Sequence, residues 1–308
     1  MKIKPLIKNE FGKLSHVILG TAEGFGGVPA IEKAYDPKSK EHILKGSYPS
    51  KKDVILELKS FKEVLEKYHV SVFSPETIDN ENQVFTRDVG FVVGDVYFEA
   101  NMLEERKGEF PAVVAILNEL GIDESKRVKV DMPVRFEGGD IMPHNEVIFI
   151  GYEEEPDFSE FKVSRTNIHG VNFIKDKFPD NEVFSFELNK SDDDARLNAL
   201  HLDCCFQPLG LGHCLIYEGG FKHKKDFDFL VEYMGAENCI EITQQEMYDM
   251  GTNVFSIQKN VVVSNSKQTR INNELRLRGY IVEEVVYNEI SKMGGLFRCS
   301  TMPLCRIG

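Results

Sequence analysis

A chain of 308 residues with 42% hydrophobic content is long enough for one large domain or two ordinary ones, and it carries a net charge of −13. The negative balance argues against nucleic acid as a partner, because phosphate-binding faces need clustered Lys and Arg, and it offers a mildly attractive field to a small cationic substrate. The short basic start from Met1 to Leu6 has no apolar signal core. No apolar run approaches the roughly 20 residues that span a bilayer, so the cytoplasm is the expected compartment and no membrane partner is expected.

Ser15 to Gly20 reads as a first strand, and residues 23–50, rich in Gly, Pro, Lys and Asp, suit a long surface loop or lid. Val54, Leu56, Leu58, Phe61, Val64 and Leu65 fall near helical spacing within 52–68, and His69 to Phe73 reads as a strand ended by Ser74-Pro75. Two short strands flank a Gly94-Asp95 turn, followed by a helix near Phe110 to Leu120 and a strand at Val128 to Val130. A second hairpin runs from Gly139 to Ile150, with a helix near Asn167 to Phe178 and a strand at Val183 to Leu188. Leu202 to Tyr217 makes a third, with a helix near Lys224 to Met234 and a strand at Cys239 to Ile242. Asn253 to Val263 makes a fourth, with a helix near Gln268 to Arg278 and a strand at Ile281 to Val285.

Hairpin, helix, strand thus recurs at about 50 to 65 residues, a period that marks stacked or circular repeats. Pairing the strand near Val17 with the segment Ser300 to Leu304 supplies a fifth unit and closes a ring with no open end. The expected fold is α/β, a single domain over 1–308 in which five ββαβ modules surround a pseudo-fivefold axis as an α/β propeller. A two-layer α+β protein of two domains is the alternative.

Six cysteines lie in the last third, at 204, 205, 214, 239, 299 and 305. Their irregular spacing in a long chain makes a disulfide framework unexpected. His201, Cys204, Cys205, His213 and Cys214 lack the spacing of a zinc finger or ribbon, so no metal is expected, and the scattered glycines form no nucleotide fingerprint. No cofactor is expected.

Polar clusters precede the hairpins: Asn82 to Asp88, Arg135 to Asp140, and Asn198 to Asp203. Equivalent positions in a ring of modules converge on its axis. Asp88, Glu137 and Asp203 would then share a cavity with His201 and Cys299. A carboxylate before a turn, such as Asp88 or Asp140 taken singly, is more often a cap or Asx-turn, and Glu137 before two glycines suits a solvated turn. Together they suit a clamp on a planar guanidinium through paired charge-assisted hydrogen bonds, with His201 to move protons and Cys299 to attack the central carbon. Gly294-Gly295-Leu296-Phe297-Arg298-Cys299 places a fixed cation next to the thiol in sequence, an arrangement that favours the thiolate. Cys305 is the competing thiol, with no base among its neighbours.

Phe85-Thr86-Arg87-Asp88, Glu137-Gly138-Gly139-Asp140, His201-Leu202-Asp203 and Gly294-Gly295 to Cys299, in that order, resemble the guanidino-group modifying superfamily of arginine deiminases, dimethylarginine dimethylaminohydrolases and amidinotransferases. The resemblance runs from Asn9 to Leu304 and implies the five-module propeller. It also implies Cys299 as nucleophile, His201 as general acid/base, and Glu137 as the acid that orients the imidazole. Asp88 and Asp203 would hold guanidino nitrogens, with Asp140 beside them. Arg106, Arg165 and Asn82 would meet the amino-acid end of the substrate. The chain lacks room for the helical insertion of bacterial arginine deiminases, and Asp203 follows the His where dimethylarginine hydrolases lack an acid. Asn9-Glu10-Phe11-Gly12-Lys13-Leu14 looks like the amidinotransferase branch, whose acid motif usually has Asp where Glu137 stands.

The implied activity is hydrolysis of arginine or a substituted arginine through a covalent amidino-thioether, releasing ammonia or an amine and a ureido product such as citrulline. Amidino transfer to an acceptor amine is the alternative, and a non-catalytic guanidino sensor a further one. The implied partner is a small guanidino molecule, with homo-oligomers open.

Overall fold

Branched and aromatic residues cluster in short runs along this chain, and such runs satisfy their backbone by pairing as strands. The structure, a computed structural model, describes residues 2–154 and 162–307. In chain order it begins with β1 (Lys13–Leu19), α1 (Pro37–Leu44), α2 (Lys51–Lys67) and β2 (Ser71–Phe73). The one-turn helix α3 (Thr86–Val89) leads into β3 (Gly90–Val93) and β4 (Val96–Glu99), and α4 (Phe110–Glu119) carries the chain to β5 (Arg127–Val128). Next come β6 (Ile141–His144), β7 (Val147–Tyr152), α5 (Ile168–Lys177) and β8 (Glu182–Glu187). They are followed by β9 (Phe206–Pro208), β10 (Cys214–Ile216), α6 (Lys224–Met234) and β11 (Cys239–Glu241). The last unit holds α7 (Gln244–Tyr248), β12 (Phe255–Gln258), β13 (Val261–Asn265), α8 (Thr269–Leu277) and β14 (Ile281–Val285), and β15 (Thr301–Ile307) ends the chain.

These strands form five three-stranded sheets among the described residues. Four repeat one plan, an antiparallel hairpin with a third strand parallel to its second: β3-β4-β5, β6-β7-β8, β9-β10-β11 and β12-β13-β14. The fifth takes its hairpin partner from the other end of the chain. Strand β15 runs antiparallel to β1, with Val17 opposite Pro303 and Leu19 opposite Thr301, while β2 lies parallel on the far side of β1. This is the α/β fold of five modules that the repeat predicts.

Neighbouring sheets share apolar cores. Ile18, Met302 and Leu304 pack with Val92 and Tyr97 between the first and second sheets, and Phe91 and Phe98 pack with Ile141 and Ile148 between the second and third. Leu215 and Ile240 pack with Val262 between the fourth and fifth. A larger cluster joins Val17 and Leu19 to Phe149, Phe206, Ile216 and Phe255. The polar clusters ahead of the hairpins adjoin the start of β3, β6, β9 and β12, and Cys299 adjoins the start of β15.

Residues 23–50 are less irregular than their composition predicts. Asp36 accepts the backbone N–H of Ser39 as an N-cap and Pro37 starts the helix with its φ already set, so α1 forms inside the expected loop. The short helix α7 was also absent from the sequence reading. Thr243 and Glu246 close a reciprocal capping box there, which stabilises a helix too short to show a period. No helix among the described residues is long and apolar enough to cross a membrane.

Candidate active site

Cys299 sits at the turn entering β15, 4% exposed, where one side chain organises the local backbone. The Oδ1 of Asn253 accepts the backbone N–H groups of Leu296 at 3.1 Å, Arg298 at 3.1 Å and Cys299 at 3.3 Å. Its Nδ2 donates to the Cys299 Sγ at 3.1 Å. Asp203 Oδ2 lies 3.7 Å from the same sulfur. Gly295 is needed at this turn, because a Cβ there would stand 2.6 Å from the Phe85 ring and 2.9 Å from the Cys299 Cβ.

Adjacency in sequence misleads about Arg298. Its guanidinium turns away from the thiol and pairs with Glu10 at 3.1 Å and Asp203 at 2.9 Å, while also donating to the carbonyls of Gly139 and Ile141. Burial, then the charges of Asp203 and Asp88, push the Cys299 thiol well above the usual thiol range, and the Asn253 bond only partly opposes this. The expectation of a thiolate favoured by a neighbouring cation is therefore corrected: in the unliganded chain the thiol is the favoured form.

His201 approaches from the third polar cluster, 1% exposed, with Nε2 2.9 Å from Glu137 Oε2. Its Nδ1 faces Asp88 Oδ1 at 3.8 Å, beyond hydrogen-bond reach, and among the described residues neither atom has a hydrogen-bond partner. Burial pulls the imidazole down, but Asp88, Asp140 and Glu137 outweigh it and hold His201 above its ordinary value. Burial would raise Glu137, yet Arg165 and His201 keep it well below the usual carboxylate range. Gly139 permits the closeness, since a Cβ there would lie 2.5 Å from the His201 ring. Ligand atoms of Asp88, Glu137 and His201 lie within 4.8 Å of one another. The Cys204 and Cys205 thiols do not join that group; both are buried, in a 3-10 turn and its cap rather than in a strand.

The remaining expected residues also converge here, with their groups engaged inside the chain. Asp140 Oδ1 accepts the Leu202 N–H at 2.9 Å, fixing the backbone beside His201. Arg106 donates to Asp88 Oδ2 at 2.5 Å, to both oxygens of Glu109 at 2.7 and 2.9 Å, and to the Phe85 carbonyl at 3.0 Å. Arg165 donates to Glu137 at 3.1 Å, to the Lys162 carbonyl at 2.8 Å and to the Tyr35 carbonyl at 3.0 Å. Asn82 Nδ2 donates to the Tyr35 hydroxyl at 3.1 Å. Cys305 is half-buried in β15 and lies outside this set.

Sequence reasoning missed three participants, Asn253, Glu10 and Arg298 as a structural cation, and it missed Tyr35, which touches Asn82, Arg106 and Arg165 at the edge of the cluster. Asn253 had a readable signal, because Thr252-Asn253 occupies the polar position ahead of the fourth hairpin. Glu10 lies in the run Asn9 to Leu14 that resembles the amidinotransferase branch, but its ionic role was not readable there, and Tyr35 had no signal, since the partners of both lie far away in the chain. A cavity of about 400 Å³ opens outside the cluster, lined by Phe25, Tyr35, Tyr48, Asn82, Glu105 and Glu109 among others. Cys299, His201, Glu137 and Asp88 do not line it, and the Tyr35–Asp36 segment forms the near wall.

Comparisons with known proteins agree with this architecture. The family model described as N,N dimethylarginine dimethylhydrolase, eukaryotic, matches residues 36–306. Uncharacterized protein YkgA of Bacillus subtilis (strain 168) is 30% identical over 246 residues, which cover 79% of this chain and 77% of that protein. The N-terminal domain of ArgZ, an arginine dihydrolase from the cyanobacterial ornithine–ammonia cycle, superposes with a TM-score of 0.78 at 20% identity, covering 94% of this chain and 98% of that one. SxtG, an amidinotransferase of the saxitoxin biosynthetic pathway from Microseira wollei, gives 0.77 at 19% identity, covering 99% and 98%. At these identities the structural likeness is one of fold.

Proposed function

Because the chain belongs to the N,N-dimethylarginine dimethylhydrolase family, whose setting is enzymes that act on guanidino groups, we propose that it hydrolyses arginine or a substituted arginine at the guanidino carbon through Cys299. One observation carries this reading. The Cys299 thiol, the His201 imidazole and the carboxyl groups of Asp88, Glu137 and Asp203 are buried together, and among the described residues Asp88 Oδ1 and His201 Nδ1 are left without hydrogen bonds. A planar guanidinium brings N–H donors to the unpaired Asp88 Oδ1 and a positive charge to face the carboxylates.

Each step draws on these groups. The bound guanidinium, held between Asp88 and Asp203, offsets the charges that keep the Cys299 proton on, and the thiol gives that proton up to solvent. Asn253 then donates to the developing thiolate. Sulfur attacks the guanidino carbon, forming a C–S bond, and His201, cationic and held by Glu137, protonates the departing nitrogen as its C–N bond breaks. Neutral His201 next takes a proton from water. The resulting hydroxide attacks the amidino-thioether, the C–S bond breaks, and the proton of the new hydroxyl passes to the sulfur, restoring the thiol and releasing a ureido product. The net change is a guanidinium plus water giving a urea plus a protonated amine.

The test follows ureido product and released amine with arginine and its methylated forms, together with intact-mass measurement after an acid quench. Wild type should turn over one of them and show an adduct on Cys299, while Cys299→Ala does neither. Turnover by Cys299→Ala equal to wild type rejects the mechanism. The run Asn9 to Leu14 favours amidino transfer as a second reading, for which product would appear only when glycine, ornithine or another amine is supplied.

A further inference from the structure

Three groups around the cluster spend their bonds on one residue, Tyr35. Its hydroxyl accepts from Asn82 Nδ2 at 3.1 Å, and its carbonyl accepts from Arg165 at 3.0 Å. Two cations lie near its ring, with the Arg106 guanidinium carbon 5.7 Å and that of Arg165 5.6 Å from the ring centre. Those arginines are themselves bonded to Asp88 and Glu137, the carboxylates of the cluster. On its other side Tyr35 lines the outer cavity of about 400 Å³. Tyr35 therefore stands between an open cavity and a cluster in which Cys299 is 4% exposed.

We propose that Tyr35 is the gate residue of the active site, a latch that caps Asn82 and Arg165 in the unliganded chain and must withdraw before a guanidino substrate reaches Cys299. Withdrawal frees the Asn82 amide, one Arg165 N–H and the inner faces of both guanidiniums, all of which then face the cavity side. The latch is held by two hydrogen bonds and two cation–ring contacts and by nothing covalent, so opening is a local equilibrium. Apparent affinity is reduced by the fraction of chains that are closed, so weakening the latch lowers KM and leaves the chemical step unchanged. This inference rests on the reaction assigned above for its kinetic arm only.

The experiment compares wild type, Tyr35→Phe and Tyr35→Ala, following iodoacetamide labelling of Cys299 by peptide mass, with half-buried Cys305 as internal reference. Labelling of Cys299 relative to Cys305 should rise about tenfold in Tyr35→Ala and about threefold in Tyr35→Phe, which loses only the hydroxyl bond. In the same variants KM for the turned-over guanidine should fall by similar factors, with kcat within about twofold of wild type. Unchanged Cys299 labelling in both variants overturns the proposal. If Cys305 labelling rises equally in Tyr35→Ala, the whole chain has loosened, and Tyr35→Phe alone decides. A chain that turns over no guanidine overturns the reaction, and the labelling comparison still decides the latch.

Discussion

A buried thiol flanked by carboxylates is protected until a cation arrives, and this shapes what single residues do. Asn253 has two jobs that one pair of substitutions separates. Asn253→Ala removes the acceptor of three backbone N–H groups and should cost about 3 kcal/mol in denaturant unfolding. Asn253→Asp keeps that acceptor but replaces the 3.1 Å donor to Sγ with a negative charge. It should stay folded and lose about a hundredfold or more in turnover, since like charge at that distance further disfavours the thiolate. His201 adds a pH dependence. Despite burial, Asp88, Asp140 and Glu137 raise its pKa above the ordinary imidazole value, so the imidazolium proposed to protonate the leaving nitrogen persists to higher pH than a free imidazole's and is lost as pH rises through that raised value. The rate of adduct formation on Cys299 should fall on this alkaline side, and a flat profile there would contradict the acid role of His201. The thiol and the imidazole could be read from the chain, because each sits at the polar start of a module. The direction of Arg298 could not, since which way a side chain turns from its neighbour depends on Glu10 at the opposite end of the sequence.

Among the elements, α1 shows how a few residues turn an apparent loop into a positioned wall. Asp36 caps the helix at the residue after Tyr35 and lies where a Cβ on Gly294 would come within 2.8 Å of its Oδ1. Asp36→Asn keeps a cap and should leave stability nearly unchanged, whereas Asp36→Ala should lose about 1 kcal/mol in thermal unfolding. The hairpin that carries Glu137 gives a second test. Gly139→Ala would press a methyl into the His201 ring and should lower kcat by about a hundredfold, with the unfolding midpoint less affected. The long helices and hairpins were legible because their apolar spacing extends over several turns or an alternating pair. Helices α1 and α7 are shorter than that window and rest on capping side chains, which period counting does not weigh.

Over the whole molecule, the pairing of Arg298 with Glu10 and Asp203 ties the first polar segment to the last and to the third module. Burial alone would raise Glu10, but Arg298 and Arg87 overcome it and hold Glu10 at about 2, against 4.5 unfolded. A depressed carboxylate adds stability that is complete above the unfolded value and is lost as pH falls from 4.5 towards 2. Glu137, also depressed, acts in the same direction. Acid unfolding should therefore begin below about pH 5 and be shallower in Glu10→Gln. That variant should also lose about 3 to 5 kcal/mol at neutral pH, because it strands a buried guanidinium. The repeat announced five modules, and the pairing of β1 with β15 was inferable from the module count; the ionic tie across the interior was not, because nothing local marks Glu10 as buried.

The closing of the ring leaves Leu6 bridged to Cys305, with the Arg306 N–H donating to the Leu6 carbonyl at 2.8 Å. Head and tail are next-door neighbours, so the order in which the modules are written in the gene is arbitrary with respect to the architecture. A circular permutant that splices residue 307 to residue 3 through a short glycine linker, and is cut open at the Leu211–Gly212 turn, should assemble the same five sheets.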